Sequence, residues 1–470
     1  MIVRQSEPYL QWDIATLTNA YKEKTLSPVE VTEELLRQIE SVDKQLNAYI
    51  TVTAEEAIER AKQAEAEIYR GEIKGPLHGV PIALKDIIYT KNMKTTMGSE
   101  IFRDFVPKED ATVVTRLKEG GAIILGKLNT HPFAYGATGD RSYFGATKNP
   151  HHFDKIPGGS SNGSGAAVAA SLCYGALGTD TGGSVRIPSS FCGIVGMKPT
   201  FGRVSKYGVF PLCETMDHVG PMTRTVRDNA LMLNVIAGYD ERDPYSFAQA
   251  EEDFTRFLDD GIKGMKIGVL TPHRYTNREV DQAVLKSVRL FRELGAEIVD
   301  IEIPNMDVIL EAFRTVMKCE AYAVHKDRLN DYPERWWDPE VRERLLSGKD
   351  ATAVEYIEAN KIRSEARRQY EAIFKRVDIL ITPTLPILPT NVEERIIEVA
   401  GMQMNIRLLL NHFTGPLNFT GLPSLSLPCG TSEEGLPIGL QLVGKRCDEA
   451  NVYRVAAAFE REWKERGRGR

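Results

Sequence analysis

The stretch GGSSNGSGAAVAASLCYGALGTDTGGSVR, residues 158–186, decides how the rest of the chain is read. It opens on a glycine- and serine-rich segment, residues 158–165. No regular helix or strand is expected there, because Gly and Ser leave the backbone uncommitted. Residues 166–172 read as a short buried helix of small residues, and residues 178–184 as a second glycine-rich loop. Small residues on both sides let backbone approach backbone, and let it approach a ligand. A flexible linker would not carry so apolar a run between its loops. A phosphate cradle would need a GK[ST] ending, or a G-x-G-x-x-G opening a helix after a clear strand, and neither is present. An acyl-transfer site fits, since a Ser that follows two glycines has accessible N–H groups beside it that can hold an oxyanion.

Ser184 is the candidate nucleophile of such a site. A serine hydroxyl is weak until a base takes its proton. Thr181, Gly182 and Gly183 precede it in the same tight loop, and their N–H groups, with that of Ser184, can converge on a developing oxyanion. A bulky side chain at 182 or 183 would block that approach. Upstream, residues 78–86 (HGVPIALKD) read as an apolar strand ending in Lys85 and Asp86. Lys85 is the candidate base. Its ordinary pKa of ~10.4 must fall by about 3 units, roughly 4–5 kcal/mol against the charged form. Burial behind Ile82, Ala83 and Leu84 can supply that. Asp86 would oppose the shift, but neighbours on an extended strand point to opposite faces. Ser160 and Ser161 both stand where a third group is needed, and the residues alone do not separate them.

Two rival arrangements fare worse. A Ser-His-Asp triad would use His218 beside Asp217, but adjacent residues rarely orient one another as a triad requires, and no G-x-S-x-G turn is present. A metal hydrolase would show H-x-H or H-E-x-x-H spacing, which the eight histidines lack.

Composition bounds the rest. The 470 residues carry 59 Lys and Arg against 65 Asp and Glu, a net charge of −6, which gives no support for nucleic-acid binding through overall charge. Six cysteines form no C-x-x-C pair and several lie in apolar contexts, so free buried thiols and a reducing compartment are expected. Residues 1–13 are polar and do not read as a signal peptide, and no apolar run approaches ~20 residues. A cytoplasmic protein with no membrane contact is expected.

Along the chain, Ser27-Pro28-Val29-Glu30 is a capping box that opens a helix. Residues 54–70 read as a second helix, residues 110–119 as a third, and 122–125 as a buried strand. This β-α-β alternation predicts a parallel or mixed sheet covered by helices. Residues 187–200 read as a buried connection and 217–221 as a turn. Residues 265–270, 296–301, 378–381, 424–427 and 438–443 read as strands. Helices are expected over 225–237, 279–294, 306–329, 351–374 and from 448 on. No repeat or linker is visible, so residues 1–470 read as one large α/β domain.

The strand into Lys85, the GGSS loop at Ser160 and the TGGS loop at Ser184 resemble the amidase signature family in order and spacing, and matching sequence extends over essentially the whole chain. The resemblance implies an α/β/α sandwich with a central mixed, mostly parallel sheet. Its signature core spans about 75–225, and a part at about 260–470 completes the sheet and shapes the pocket. It implies a Ser-cisSer-Lys triad of Ser184, Ser160 and Lys85, with a cis peptide before Ser160, and an amidase that needs no cofactor. Its substrate is a small-molecule amide, and a homodimer is allowed. Where the family often has Glu-Phe-Ala, this chain has His131-Pro132-Phe133-Ala134. The family also contains carbamate hydrolases and the glutaminase subunit of an aminoacyl-tRNA amidotransferase, which would bring a nucleic-acid partner. That glutaminase carries an Asp for the glutamine amino group where this chain has Asn411, and Arg344 matches its carboxylate-binding Arg. The Asn favours a free-standing amidase. Tyr135, Tyr143, Phe144, Trp336 and Trp337 suggest a pocket for an apolar group.

Overall fold

In the computed structural model, which describes residues 7–248, 250, 252–271, 275–332, 334–335 and 338–468, eleven strands join in one sheet. In chain order they are β1 (Tyr49–Val52), β2 (Pro81–Lys85), β3 (Ile123–Leu128), β4 (Gly175–Asp180), β5 (Val195–Lys198), β6 (His218–Thr223), β7 (Lys266–Leu270), β8 (Glu297–Ile301) and β9 (Ile379–Pro383). A separate hairpin of β10 (Ile396–Val399) and β11 (Met402–Asn405) follows. The main sheet then takes in β12 (Ser424–Thr431) and β13 (Pro437–Gly444). Across the sheet the order is β1-β3-β2-β4-β6-β5-β12-β13-β9-β7-β8.

The sheet is mixed and its helices pack against it, as an α/β reading requires. Its parallel pairs gather in two wings, β3-β2-β4 and β9-β7-β8. Each wing is built from crossovers, because a parallel pair needs a long connection. Helix Thr112–Glu119 links β2 to β3, Asn162–Ala169 links β3 to β4, and Arg278–Glu293 links β7 to β8. Between the wings, β4, β6, β5, β12, β13 and β9 pair antiparallel. The strands that carry the site, β2 and β4, are buried at every residue, as strands covered on both faces must be.

Local signals explain one of the helices that pack on the core. The Ser27 hydroxyl accepts from the Val29 N–H at 3.0 Å, and the Glu30 carboxylate accepts from the Ser27 N–H at 3.0 Å. Helix Pro28–Leu46 follows and ends at Asn47, which takes the left-handed conformation with φ 55°. Its Val31, Leu35 and Ile39 join the core, each contributing ~1.5–3 kcal/mol of burial.

Three expectations are corrected. The helix after Ser161 begins at Asn162, inside the segment read as loop, and spans Asn162–Ala169. Small residues there serve close packing: a Cβ on Gly163 would collide with the Ala48 carbonyl and the Asn129 nitrogen. Of residues 178–184, the first three belong to β4, which leaves a loop of only 181–184. Residues 218–221 are strand β6 rather than a turn, although they include Gly220 and Pro221. Pairing with β5 reaches only Met222 and Thr223, which leaves Pro221 free of a ladder on that side. The connection 187–200 holds all but the first residue of helix Arg186–Cys192, and all of β5. Among the described residues no helix is long and apolar enough to cross a membrane.

Candidate active site

Lys85 is the last residue of β2, and Thr179 lies near the end of the adjacent parallel strand β4. Both side chains turn to one place. Lys85 Nζ donates to Ser160 Oγ at 2.7 Å and to Thr179 Oγ1 at 2.8 Å. The lysine is fully buried, and burial lowers its pKa to about 7 against the opposing pull of Asp180 and Asp217. Asp86 is turned away, as strand alternation predicts, and accepts from the Thr96 N–H at 2.8 Å.

Ser160 follows a cis peptide bond from Gly159. Its carbonyl accepts from Thr130 Oγ1 at 3.0 Å and from the His131 N–H at 3.1 Å, and Asn162 Oδ1 also accepts from the His131 N–H at 2.8 Å. The choice between the adjacent serines is resolved by their partners. Ser161 Oγ bonds the backbone of Thr179, donating to its carbonyl at 3.1 Å and accepting from its N–H at 3.2 Å. Ser164 Oγ likewise donates to the Leu177 carbonyl at 3.1 Å. Both therefore bond β4 rather than cap the following helix. Only Ser160 faces the lysine.

Ser184 is 8% exposed and lies in the loop that leaves β4. The Ser161 N–H donates to the Ser184 carbonyl at 3.3 Å, which ties the two loops together. Asp180 shapes the turn: its carboxylate accepts from the Gly183 N–H at 2.7 Å and from the Val185 N–H at 3.1 Å. One of the expected oxyanion donors is thus spent on loop geometry, and Gly183 is corrected to a shape-determining residue. It takes φ +131°, and a Cβ there would collide with Thr414 Oγ1. The N–H groups of Gly182 and Ser184 remain uncommitted within the described residues. The Gly182 carbonyl accepts from Thr414 Oγ1 at 2.7 Å and from the Asn411 amide.

A buried network that the sequence reading missed holds Asp180. Burial pushes its pKa up, but Arg186 above all, with Lys198 and Asn418, outweighs this and keeps the carboxyl well below the usual range. Arg186 is fully buried and donates to Asp180 at 2.9 and 3.0 Å, to Gln441 Oε1 at 2.7 Å and to Asn418 Oδ1 at 2.6 Å. The signal for Asp180 and Arg186 was their place on either side of TGGS. Asn418 and Gln441 carry no local signal.

The rival triad does not form. Asp217 accepts from Thr181 Oγ1 at 2.6 Å and from the N–H groups of Leu212 and Cys213 at 2.9 and 3.0 Å. His218 Nδ1 pairs with the Met216 carbonyl at 2.6 Å, and its Nε2 meets Lys198 Nζ at 3.2 Å. Of the aromatics, Tyr135 lies under Arg344, whose guanidinium is 3.9 Å from the ring centroid and donates to the Tyr135 carbonyl at 2.7 Å. Tyr143 and Phe144 pack edge to face, and Trp336 and Trp337 lie outside the described residues.

The family model named Amidase matches residues 30–453. The chain is 40% identical over 481 residues to the A component of the glutamyl-tRNA(Gln) amidotransferase of Geobacter sp. (strain M21), covering 96% of each chain. Among solved structures it is similar to one described as a vestigial protein complex that reveals the evolutionary origins of an s-triazine catabolic enzyme, with a TM-score of 0.92, 34% identity and coverage of 96% of this chain and 98% of that one. A bacterial aryl acylamidase of the amidase signature family gives a TM-score of 0.90 at 30% identity, covering 98% of each chain. With a buried lysine bonded to a cis-serine on this sheet and a family match along nearly its whole length, the chain belongs to the amidase signature family.

Proposed function

We propose that this amidase-family enzyme, which acts on C–N bonds, opens a carboxamide through an acyl-enzyme on Ser184. One observation carries the reading: Lys85 Nζ, buried and with its pKa lowered to about 7, lies 2.7 Å from Ser160 Oγ. Neutral Lys85 draws a proton through Ser160 from Ser184, whose Oγ attacks the carbonyl carbon. The N–H groups of Thr181, Gly182 and Ser184 take the charge on oxygen. The proton returns through Ser160 to the leaving nitrogen, and water releases the acid by the same relay in reverse.

The curated relatives support the glutaminase component of a tRNA amidotransferase as the setting of this chemistry better than a free-standing amidase, against the expectation drawn from Asn411. In that setting the amide is that of glutamine, the product is ammonia, and the chain works with partner subunits on a charged tRNA. Arg344 is the group for the glutamine carboxylate. A free-standing amidase is the second reading, and Asn411 favours it. Its side chain donates to the Gly182 carbonyl and supplies no charge to balance an ammonium. Both readings place the chain in the cytoplasm, in keeping with its six free cysteines.

Ammonia or amine release by the purified chain tests both, over glutamine, short aliphatic amides, an anilide and a carbamate, with Ser184→Ala as control. Turnover of glutamine alone, or only once partner subunits are added, supports the amidotransferase reading. Turnover of simple amides but not glutamine supports the free-standing one. Activity that survives in Ser184→Ala overturns the site.

A further inference from the structure

We propose that Asn411 is a positioning residue for the oxyanion: with Thr414 it pins the Gly182–Gly183 peptide, and so aligns the Gly182 N–H with that of Ser184. This rests on the Ser184 acyl-enzyme reading and adds to it what holds the oxyanion loop in shape.

Three peptide units join Thr181 to Ser184, and two glycines stand among them. Without Cβ atoms, Gly182 and Gly183 put little steric restraint on how those units turn. The restraint must come from the polar ends of the units themselves. The last unit is fixed by the helix that follows, since the Gly183 carbonyl accepts from the Ile187 N–H at 2.7 Å. That sets the direction of the Ser184 N–H. The middle unit is held at both ends. The Gly183 N–H donates to Asp180 at 2.7 Å, and the Gly182 carbonyl accepts from Thr414 Oγ1 at 2.7 Å and from the Asn411 amide. Turned over, this unit would set the Gly182 oxygen against the buried Asp180 carboxylate. The first unit, which carries the Gly182 N–H, keeps its direction only while the middle one keeps its own.

The two donors to Gly182 are unequal. Thr414 has one hydroxyl hydrogen and two carbonyls within reach, Gly182 at 2.7 Å and Leu410 at 3.3 Å. The Asn411 amide donates to Gly182 alone among the described residues. The other side chains that close on Gly182 there, Phe313 and Met317, bring no donor. Asn411 is itself carried on a braced segment. Its carbonyl accepts from the Gly415 N–H at 2.9 Å. Asn411, Thr414 and Asn418 recur at spacings of three and four, so one face of the segment meets the nucleophile loop, and Asn418 Nδ2 donates to the Asp180 carbonyl at 2.9 Å. The Asn411 amide is thus spent on backbone. It acts on turnover and not on substrate affinity, whatever amide is cleaved. A carboxylate at 411 is the same size but only accepts, so it would repel the Gly182 oxygen, and once protonated it would donate again.

The test uses Asn411→Asp and Asn411→Leu in the full chain, with thermal melts to show that each is folded. The probe is a fluorophosphonate-rhodamine. Ser184 Oγ attacks its phosphorus, fluoride leaves, and the phosphoryl oxygen draws on the same N–H groups as a carbonyl would. Saturable labelling gives kinact and KI, and kcat and KM are read for whichever amide of the panel is turned over. Removing an oxyanion donor outright costs about 10²–10³-fold, and a misaligned one should cost less. The expected result near neutral pH is therefore kinact and kcat lower by about 10- to 100-fold in both variants, with KI and KM within about twofold. As pH falls and the new carboxyl takes up a proton, Asn411→Asp should gain on wild type, while the ratio for Asn411→Leu stays constant. A folded variant with wild-type kinact overturns the proposal. So does a change in KI or KM alone, which would mean that the side chain touches the substrate, and so does an Asn411→Asp ratio that ignores pH. If only Asn411→Leu folds, its kinact and KI decide by the same rule. A wild type left unlabelled, or labelling that survives in Ser184→Ala, would overturn the acyl-enzyme reading and this proposal with it.

Discussion

The two parallel wings of the sheet share a build and differ in what they do with a lysine. In the wing β3-β2-β4, Lys85 closes β2 at its carboxyl end, fully buried, with two hydroxyl oxygens within 2.8 Å. In the wing β9-β7-β8, Lys266 opens β7 at its amino end and is exposed, and its backbone is engaged by Asp378, whose carboxylate accepts from the Lys266 N–H at 2.8 Å and whose N–H donates to the Lys266 carbonyl at 2.8 Å. Both strands are interior to three-stranded parallel units. The difference lies in the end of the strand and in what covers it. Carboxyl ends of parallel strands are where chains turn over the sheet and where sites form. Over β2 that end is roofed by the loops at 160 and 181–184, and over the first residue of β7 there is no such roof. On the proposed mechanism, what makes a strand lysine a base is its cover and not its strand.

The strongest way to break this comparison is to keep the charge at 85. Lys85→Arg retains a cation that does not lose its proton, so turnover should fall by about 10³-fold or more in steady-state assays. On the proposed mechanism the neutral lysine is the active form, and with its pKa at about 7, kcat/KM should rise with pH through about 7 and then level. That limb should be absent from the residual activity of Lys85→Arg. A profile flat across this range in wild type would remove the base from the mechanism.

The next effect is on the roof. Asp180→Asn leaves Arg186 buried without its counter-charge, which should cost about 3–5 kcal/mol, read from urea unfolding midpoints. Arg186 holds the Asp180 carboxyl below its ordinary range, so the stability it contributes is complete above the ordinary carboxylate pKa and is lost as pH falls below it. Acid unfolding of Asp180→Asn should therefore be less steep than that of wild type. The smallest effect belongs to the other wing. Lys266→Ala should leave kcat/KM unchanged and stability within about 0.5 kcal/mol, and a larger loss would show that the wings are less distinct than drawn.

Much of the site was legible because its parts are local. Lys85 ends an apolar strand and Ser184 ends a double glycine, and both signals lie within a few residues. Ser160 against Ser161 was not legible from chemistry, because the two differ only in which one the helix start turns toward β4. Strand β6 was hidden by Gly220 and Pro221, which signal a turn until one knows that β5 stops short beside them. The segment 162–165 reads as loop on glycine propensity alone, because the Ala48 and Asn129 backbone that leaves no room for a side chain at Gly163 is distant in the sequence. The spent N–H of Gly183 was invisible for the same reason: its acceptor, Asp180, is three residues away, but the arginine that aims it is anchored by residues far along the chain.

That anchoring also sets an order of events in the cell. Arg186 and Gln441 are separated by 255 residues of chain, and Arg186 and Asn418 by 232. At a synthesis rate of about 5–20 residues per second, the ribosome exposes Ser184 roughly 13–50 s before the residues that steady its loop. Throughout that interval the nascent polypeptide carries the proposed nucleophile without the distant residues that hold its loop. On the proposed mechanism, competence for chemistry is expected to arrive only with the last strand of the sheet, and fragments cut short before it are expected to turn over no amide.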